Sequence, residues 1–212
     1  MEHRIIVVGI GPGSPDYLPP VATRAINNAR VLVGSRRALE SLAPPAVAKT
    51  RVIDKDIAGV LDFVGQEAPA GGVVVMVSGD PGFHSLLVAM RQRFSPEQLH
   101  VIPGISSVQL AFAREGQVWQ DAILLSMHGR EAGDGTLDYV PGKKLGILTD
   151  GKNNPGCIAG QLLAQGWPPT AKVSLCRDLS YDHEKIGRAL LSEAGELSGF
   201  DYCVMVVTDG DD

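Results

Sequence analysis

The 212-residue sequence predicts an α/β protein of two α/β domains, with a parallel sheet in the first half and a mixed sheet in the second. Three observations carry that expectation. Short apolar runs rich in branched side chains alternate with helix-length segments from the N-terminus to about residue 115, and a parallel pair of strands needs such a crossover between its members. The segments that follow three of these runs are rich in glycine and proline. Beyond residue 120 the strand candidates follow one another with fewer helices between them, so antiparallel pairs enter the sheet.

The elements follow in order. A strand is expected over 4–9, around Ile5–Val8, and a helix over 19–30 with Pro19 or Pro20 in its first turn, where the missing N–H has no partner to lose. Val31–Gly34 is a strand, and 36–43 a short helix stopped by Pro44 and Pro45. Arg51–Ile53 is a short strand and 55–67 a helix. Residues 73–78 are the clearest buried strand, apolar without alternation. A helix over about 83–93, a strand at His100–Ile102 and a helix over 106–115 complete the first half. Strands are then expected over 122–126, 144–149, 172–177, 184–188 and 202–207, with a helix over 155–165 that Asn153-Asn154-Pro155 would start. Gly116–Trp119 is the expected seam, giving domains 1–116 and 117–212.

Composition narrows the class. Apolar residues make up 44% and charged residues 20%, the balance of a soluble globular protein. No apolar stretch approaches the roughly 20 residues of a membrane span, and Met1–Arg4 leads into a strand rather than a signal-peptide core; a cytoplasmic location without membrane attachment is expected. The net charge is −5 and no basic run with interleaved aromatics occurs, which argues against nucleic acid. Cys157, Cys176 and Cys203 are scattered and odd in number, so neither a disulfide framework nor a metal site is expected.

Three loops stand out. Gly9-Ile10-Gly11-Pro12-Gly13 follows the first strand, but the dinucleotide fingerprint would need glycine at position 14, where Ser14 stands, and a helix that Pro12 and Pro15 postpone. The loop is a ligand-approach loop of another kind. Ser78-Gly79-Asp80-Pro81-Gly82-Phe83-His84-Ser85 follows the clearest strand, and Pro103-Gly104-Ile105-Ser106-Ser107 follows Ile102. Ligands of parallel sheets bind beyond the carboxyl ends of strands. If those strands are parallel and adjacent, the three loops converge.

Together, Gly-x-Gly-Pro-Gly, Ser-Gly-Asp-Pro-Gly and Ile-Pro-Gly-Ile-Ser-Ser resemble the tetrapyrrole (corrin/porphyrin) methyltransferases over essentially the whole chain. Val33–Arg37, Val108–Arg114, Leu125–Arg130, Leu148–Asp150, Asn153–Pro155 and Leu179–Tyr181 are most similar to the branch acting at C5 of the corrin ring. The resemblance implies the tetrapyrrole methylase fold, with a cofactor cleft between two domains whose N-terminal member forms the substrate side. It implies S-adenosylmethionine as cofactor, a corrinoid substrate (cobalt-precorrin-7 or precorrin-6Y) in cobalamin biosynthesis, a homodimer, and a C15-methylating and decarboxylating partner subunit or fused domain. Whether the substrate carries cobalt stays open.

On this reading Asp80 and His84 are the catalytic candidates. Gly11, Pro12, Ser78, Gly79, Asp80, Phe83, Ser106, Ser107, Ser126, Met127 and His128 would hold the cofactor. Gly13, Arg36, Arg114, Gly129 and Arg130 would meet the substrate, arginine being suited to bidentate grip on carboxylate arms. Each has a plainer reading: Asp80 as a turn residue, Ser106 and Ser107 as helix caps, Met127 as core, the arginines and histidines as solvated surface. Rival functions are another branch of the family, acting at a different ring carbon or in diphthamide synthesis, and a non-catalytic nucleotide-binding module.

Overall fold

The computed structural model describes residues 5–43 and 49–210. Residues 1–4, Pro44 and Pro45 with their neighbours to 48, and Asp211 and Asp212 lie outside the described residues. The chain divides into two compact units, 1–106 and 107–212.

In the first unit the apolar runs become five parallel strands: β1 (Ile5–Gly9), β2 (Val31–Gly34), β3 (Lys49–Val52), β4 (Val73–Val77) and β5 (Leu99–Ile102). Their order is β3-β2-β4-β1-β5. Every residue of β4 is buried, because the sheet is covered on both faces. On one face Val8, Leu32, Val74, Met76 and Ile102 pack with Ala22, Ile26 and Ala38 of α1 (Pro20–Asn27) and α2 (Arg36–Leu42). On the other, Val7, Val33 and Val75 pack with Val60, Val64 and Met90 of α3 (Ile57–Glu67) and α4 (Leu87–Arg93). Local chemistry starts the helices: Pro20 opens α1, Ser35 Oγ accepts the Ala38 N–H at 3.2 Å, and Asp56 Oδ1 accepts the Gly59 N–H at 3.0 Å.

The second unit begins with α5 (Ser107–Arg114). Its sheet contains β6 (Ile123–Ser126), β7 (Lys144–Leu148), β8 (Lys172–Arg177), β9 (Lys185–Leu190) and β10 (Val204–Thr208), in the order β6-β7-β10-β8-β9. Only the β6–β7 pair is parallel. One face carries Leu145, Ile147, Val173, Leu175, Met205 and Val207 against Ile158 and Leu162 of α6 (Pro155–Ala164) and against Trp167, whose indole N–H reaches the Leu137 carbonyl at 2.8 Å. The other face receives α5. A Cβ on Gly146 would stand 2.7 Å from Val108 and 2.8 Å from Phe112, so the sheet accepts the helix only where the side chain is missing.

Two departures from expectation have physical causes. The helix placed over 83–93 starts at Leu87, because His84 is held at φ +47°, outside the right-handed helical region. The compact units meet between Ser106 and Ser107, ten residues before the expected seam at Gly116–Trp119, because α5 packs on the second sheet through Val108 and Phe112.

Candidate functional site

In the first unit β1 and β4 lie side by side. The chain leaves β1 for β2 on one side and leaves β4 for β5 on the other, so the space beyond their carboxyl ends is the switch point of the sheet, where α/β proteins bind ligands. The first two loops are stitched there. Ile10 N–H donates to Val77 at 2.9 Å, Gly79 N–H to Gly11 at 2.8 Å, and Gly11 N–H to Gly79 at 3.3 Å. Gly11 and Gly79 both sit at positive φ, +74° and +67°, as glycine alone does readily. The third loop presses in from β5. A Cβ on Gly9 would lie 2.6 Å from the Gly104 nitrogen and 2.7 Å from the Gly79 oxygen, and one on Gly104 would overlap that same carbonyl. The three loops touch backbone to backbone.

Asp80 ties them. Its Oδ1 accepts the Gly82 N–H at 2.7 Å within its own loop, and its Oδ2 accepts the Gly104 N–H at 3.0 Å across to the third. Phe83 and His84 follow, their rings edge to face at 4.6 Å, with the imidazole exposed. Ser85 Oγ donates to the Pro81 carbonyl and accepts the Leu87 N–H at 3.1 Å, which starts α4. Ser106 is buried, Pro12 and Gly13 half-buried, Ser78 and Arg36 exposed. Arg36 stands just past the end of β2, at the same end of the sheet.

In the second unit Ser126, Leu148, Val204, Cys176 and Ile186 are register partners across the sheet. The loops after β6, β7 and β8 and the segment before β10 therefore share one end. Met127 adds one further rung, its N–H donating to Leu148 at 2.9 Å, and its side chain is core, 1% exposed. His128, Gly129 and Arg130 are exposed. Beneath them lies Asp150, whose Oδ2 accepts the Gly129 N–H at 2.6 Å and whose Oδ1 accepts those of Lys152 and Asn153 at 2.9 and 2.7 Å. These amides, that of Asn153 foremost, and the neighbouring His128 hold the Asp150 carboxyl below its ordinary value although burial opposes them. Asn153 Nδ2 donates to the carbonyls of Met127 at 2.8 Å and Arg130 at 3.0 Å. The helix cap is the next residue, Asn154, which accepts the Cys157 N–H at 3.0 Å. Thr149 Oγ1 accepts the Cys203 N–H at 2.8 Å and so anchors the segment carrying Tyr202, whose exposed ring lies 6.3 Å from that of His128.

Gly11, Pro12, Gly13, Ser78, Gly79, Asp80, Phe83, His84 and Ser106 thus gather at one end of the first sheet, and Ser126 to Arg130 at one end of the second. Ser107 opens α5. Arg114 is held by Glu184 in the β8–β9 hairpin, Nε to Oε1 at 2.6 Å and Nη2 to Oε2 at 3.2 Å, and that guanidinium keeps the Glu184 carboxyl below its ordinary value. Among the described residues no cluster of His, Cys, Asp and Glu is arranged to hold a metal ion, and no helix is long and apolar enough to cross a membrane. The resemblance runs through Leu148–Asp150 and Asn153–Pro155, but none of Asp150, Asn153 and Tyr202 is among the site residues expected from the sequence. Asp150 had a signal, an acidic residue one position past the hydroxyl that follows a buried strand, whereas Asn153 reads as a helix start.

Comparison with known proteins places the chain. The family model of the Tetrapyrrole (Corrin/Porphyrin) Methylases matches residues 4–195. The cobalt-precorrin-7 C(5)-methyltransferase of Salmonella typhimurium is 34% identical over 183 residues, 86% of this chain and 88% of that protein. The precorrin-6Y C(5,15)-methyltransferase [decarboxylating] of Sinorhizobium sp. is 31% identical over 169 residues, 77% of this chain but 39% of that protein. The structure of uroporphyrin-III C-methyltransferase from Thermus thermophilus with S-adenosylhomocysteine shares the fold, with TM-score 0.74 at 24% identity over 97% of this chain and 92% of that one.

Proposed function

We propose that this chain, which belongs to the tetrapyrrole (corrin/porphyrin) methylases, methylates C5 of a corrin precursor, cobalt-precorrin-7 or its cobalt-free counterpart, with S-adenosylmethionine as donor. The observation that carries the reading is the convergence of three glycine-rich loops at the switch point of the first sheet, packed so closely that a Cβ on Gly9 or Gly104 would overlap the backbone of its neighbours. The S. typhimurium and Sinorhizobium relatives, both named for C5, supply the ring position.

When bound, S-adenosylmethionine supplies a methyl group already activated on a sulfonium, so the protein's task is alignment and exclusion of water. Gly11, Pro12, Ser78, Gly79, Phe83 and Ser106 line the first unit's part of that task, Gly11 and Gly79 by fixing the loops, since their N–H and carbonyl groups bond each other. Asp80 holds the second and third loops in register. Ser107, Ser126, Met127 and His128 contribute from the second unit, Met127 by shaping the core under the loop. Arg130, Arg36 and the backbone of Gly13 and Gly129 meet the acetate and propionate arms, with Arg130 the principal anchor, and Arg114 reaches them only by leaving Glu184. His84 is the candidate for proton movement, presented by its positive φ. A homodimer is the working form, and the C15 step belongs to a partner subunit or a fused domain; the bifunctional relative, matched over 39% of its length, is named for both steps.

The test is a methyl-transfer assay with each corrin substrate, beside calorimetric titration with S-adenosylhomocysteine. Transfer to C5 and cofactor binding in the micromolar range, about −8 kcal/mol, are expected. Cofactor binding without transfer to either substrate would favour a non-catalytic module, and transfer at another ring carbon would favour another branch.

A further inference from the structure

We infer that Asp150 and Asn153 are positioning residues, which fix the backbone of the Met127–Arg130 loop so that the Arg130 side chain is presented to the carboxylates of the corrin substrate. The inference rests on the proposed function for the identity of that ligand. Its physical basis is a mismatch of burial. His128, Gly129 and Arg130 are exposed, and the strand ladder ends at Met127, so little in the sheet itself specifies how the chain runs onward. Gly129 stands at φ +68°, where the chain reverses. Yet the two side chains that reach this loop are buried, Asp150 at 9% and Asn153 at 5% exposure.

Between them they satisfy the Met127 carbonyl, the Gly129 N–H and the Arg130 carbonyl. The chemistry is complementary and not exchangeable. An ionised carboxylate only accepts, and Asp150 meets three N–H groups with it; the amide nitrogen of asparagine only donates, and Asn153 meets two carbonyls with it. Asp150 also accepts the Asn153 N–H, so the two holders are themselves locked together. A buried carboxylate is retained only where such bonds offset its desolvation. Here those bonds converge on the loop that carries the proposed anchor.

The experiment is a double-mutant cycle on the full chain. Cobyrinic acid, a corrinoid with free carboxylate arms, is titrated by its absorbance into the wild type, Asp150→Asn, Arg130→Ala and the double variant, with circular dichroism confirming the fold of each. Asp150→Asn sets a donor against an N–H group and should weaken binding about tenfold, equal to ~1.4 kcal/mol. In the Arg130→Ala background the same change should have little further effect, because a residue acting through Arg130 has nothing left to position. Should Asp150→Asn fail to fold, Asn153→Ala, which removes both donations to the loop carbonyls, takes its place in the cycle with the same expectation. Wild-type affinity in the folded variant, or losses that add in full, would overturn the inference, as would a wild type that binds no cobyrinic acid. Methyl transfer is assayed on the wild type in parallel. A non-additive cycle without transfer would defeat the proposed function and sustain the positioning role, whereas transfer with an additive cycle would do the reverse.

Discussion

In the first unit the loops beyond β1, β4 and β5 are held by backbone touching backbone, with Gly9, Gly79 and Gly104 at the contact and one carboxylate, Asp80, bridging two loops. In the second unit the loop beyond β6 is held by two buried side chains, Asp150 and Asn153, that reach it from the segment after β7. Sheet topology accounts for the difference. Parallel neighbours all end at the same edge, about 4.8 Å apart, so three successive loops crowd and only glycine fits between them. In the mixed sheet only β6 and β7 end side by side at this edge, and β10 begins beside them, so two loops meet there rather than three and side chains span the gap. Close approach selects small residues, and wider spacing selects side chains with the right donors and acceptors.

The sharpest way to break this comparison is Gly104→Ala. The added methyl meets the backbone of Gly9 and Gly79, which cannot rotate aside as a side chain can. A loss of about 3 kcal/mol in stability is expected, with S-adenosylhomocysteine binding abolished. Thermal unfolding and calorimetry check it, and wild-type affinity in this variant would mean that the loops do not need their close contact.

Next comes Asp80→Ala. It strips an acceptor from the N–H groups of Gly82 and Gly104 but leaves the glycine contacts alone. Cofactor affinity and turnover should fall about tenfold to a hundredfold, the range for charge-assisted bonds, with the fold intact by circular dichroism. Near wild-type turnover would reduce Asp80 to an ordinary turn residue.

Acid should distinguish the second unit's carboxylate. The Asp150 carboxyl is lower in the folded chain than its ordinary value, first through the amides of Asn153 and Gly129. Its contribution to stability is therefore complete above the ordinary carboxylate value near 4 and is lost as pH falls through the lowered value. The melting temperatures of wild type and Asp150→Asn should differ at neutral pH and converge in acid; a gap that stays constant into strong acid would exclude the charged clamp.

The smallest effect serves as the control. Gly160 lies exposed inside α6, and a Cβ there would meet nothing within 4 Å. Gly160→Ala should stabilise the chain by about 0.5–1 kcal/mol through helix propensity alone. Destabilisation would show that the glycines of this chain cannot be sorted by the space around them.

The strand–helix alternation, the parallel first sheet, the mixed second one and the three glycine-rich loops are legible in the chain alone, since apolar runs, branched side chains and Gly-Pro punctuation are local signals. So is the family, because those loops carry their pattern contiguously. The rest depends on contacts between segments distant in the chain. His84 at positive φ shortens α4, and no local pattern announces that. α5 belongs with the second sheet because Gly146, more than thirty residues on, leaves room for Val108 and Phe112. Asn153 reads as the start of a helix, yet it serves the loop after β6 while Asn154 caps α6. Asp150 lies twenty-one residues from the amide that it fixes. A hydrogen bond between segments so distant in the chain depends on where the sheet sets them down, and periodicity and composition contain no term for that.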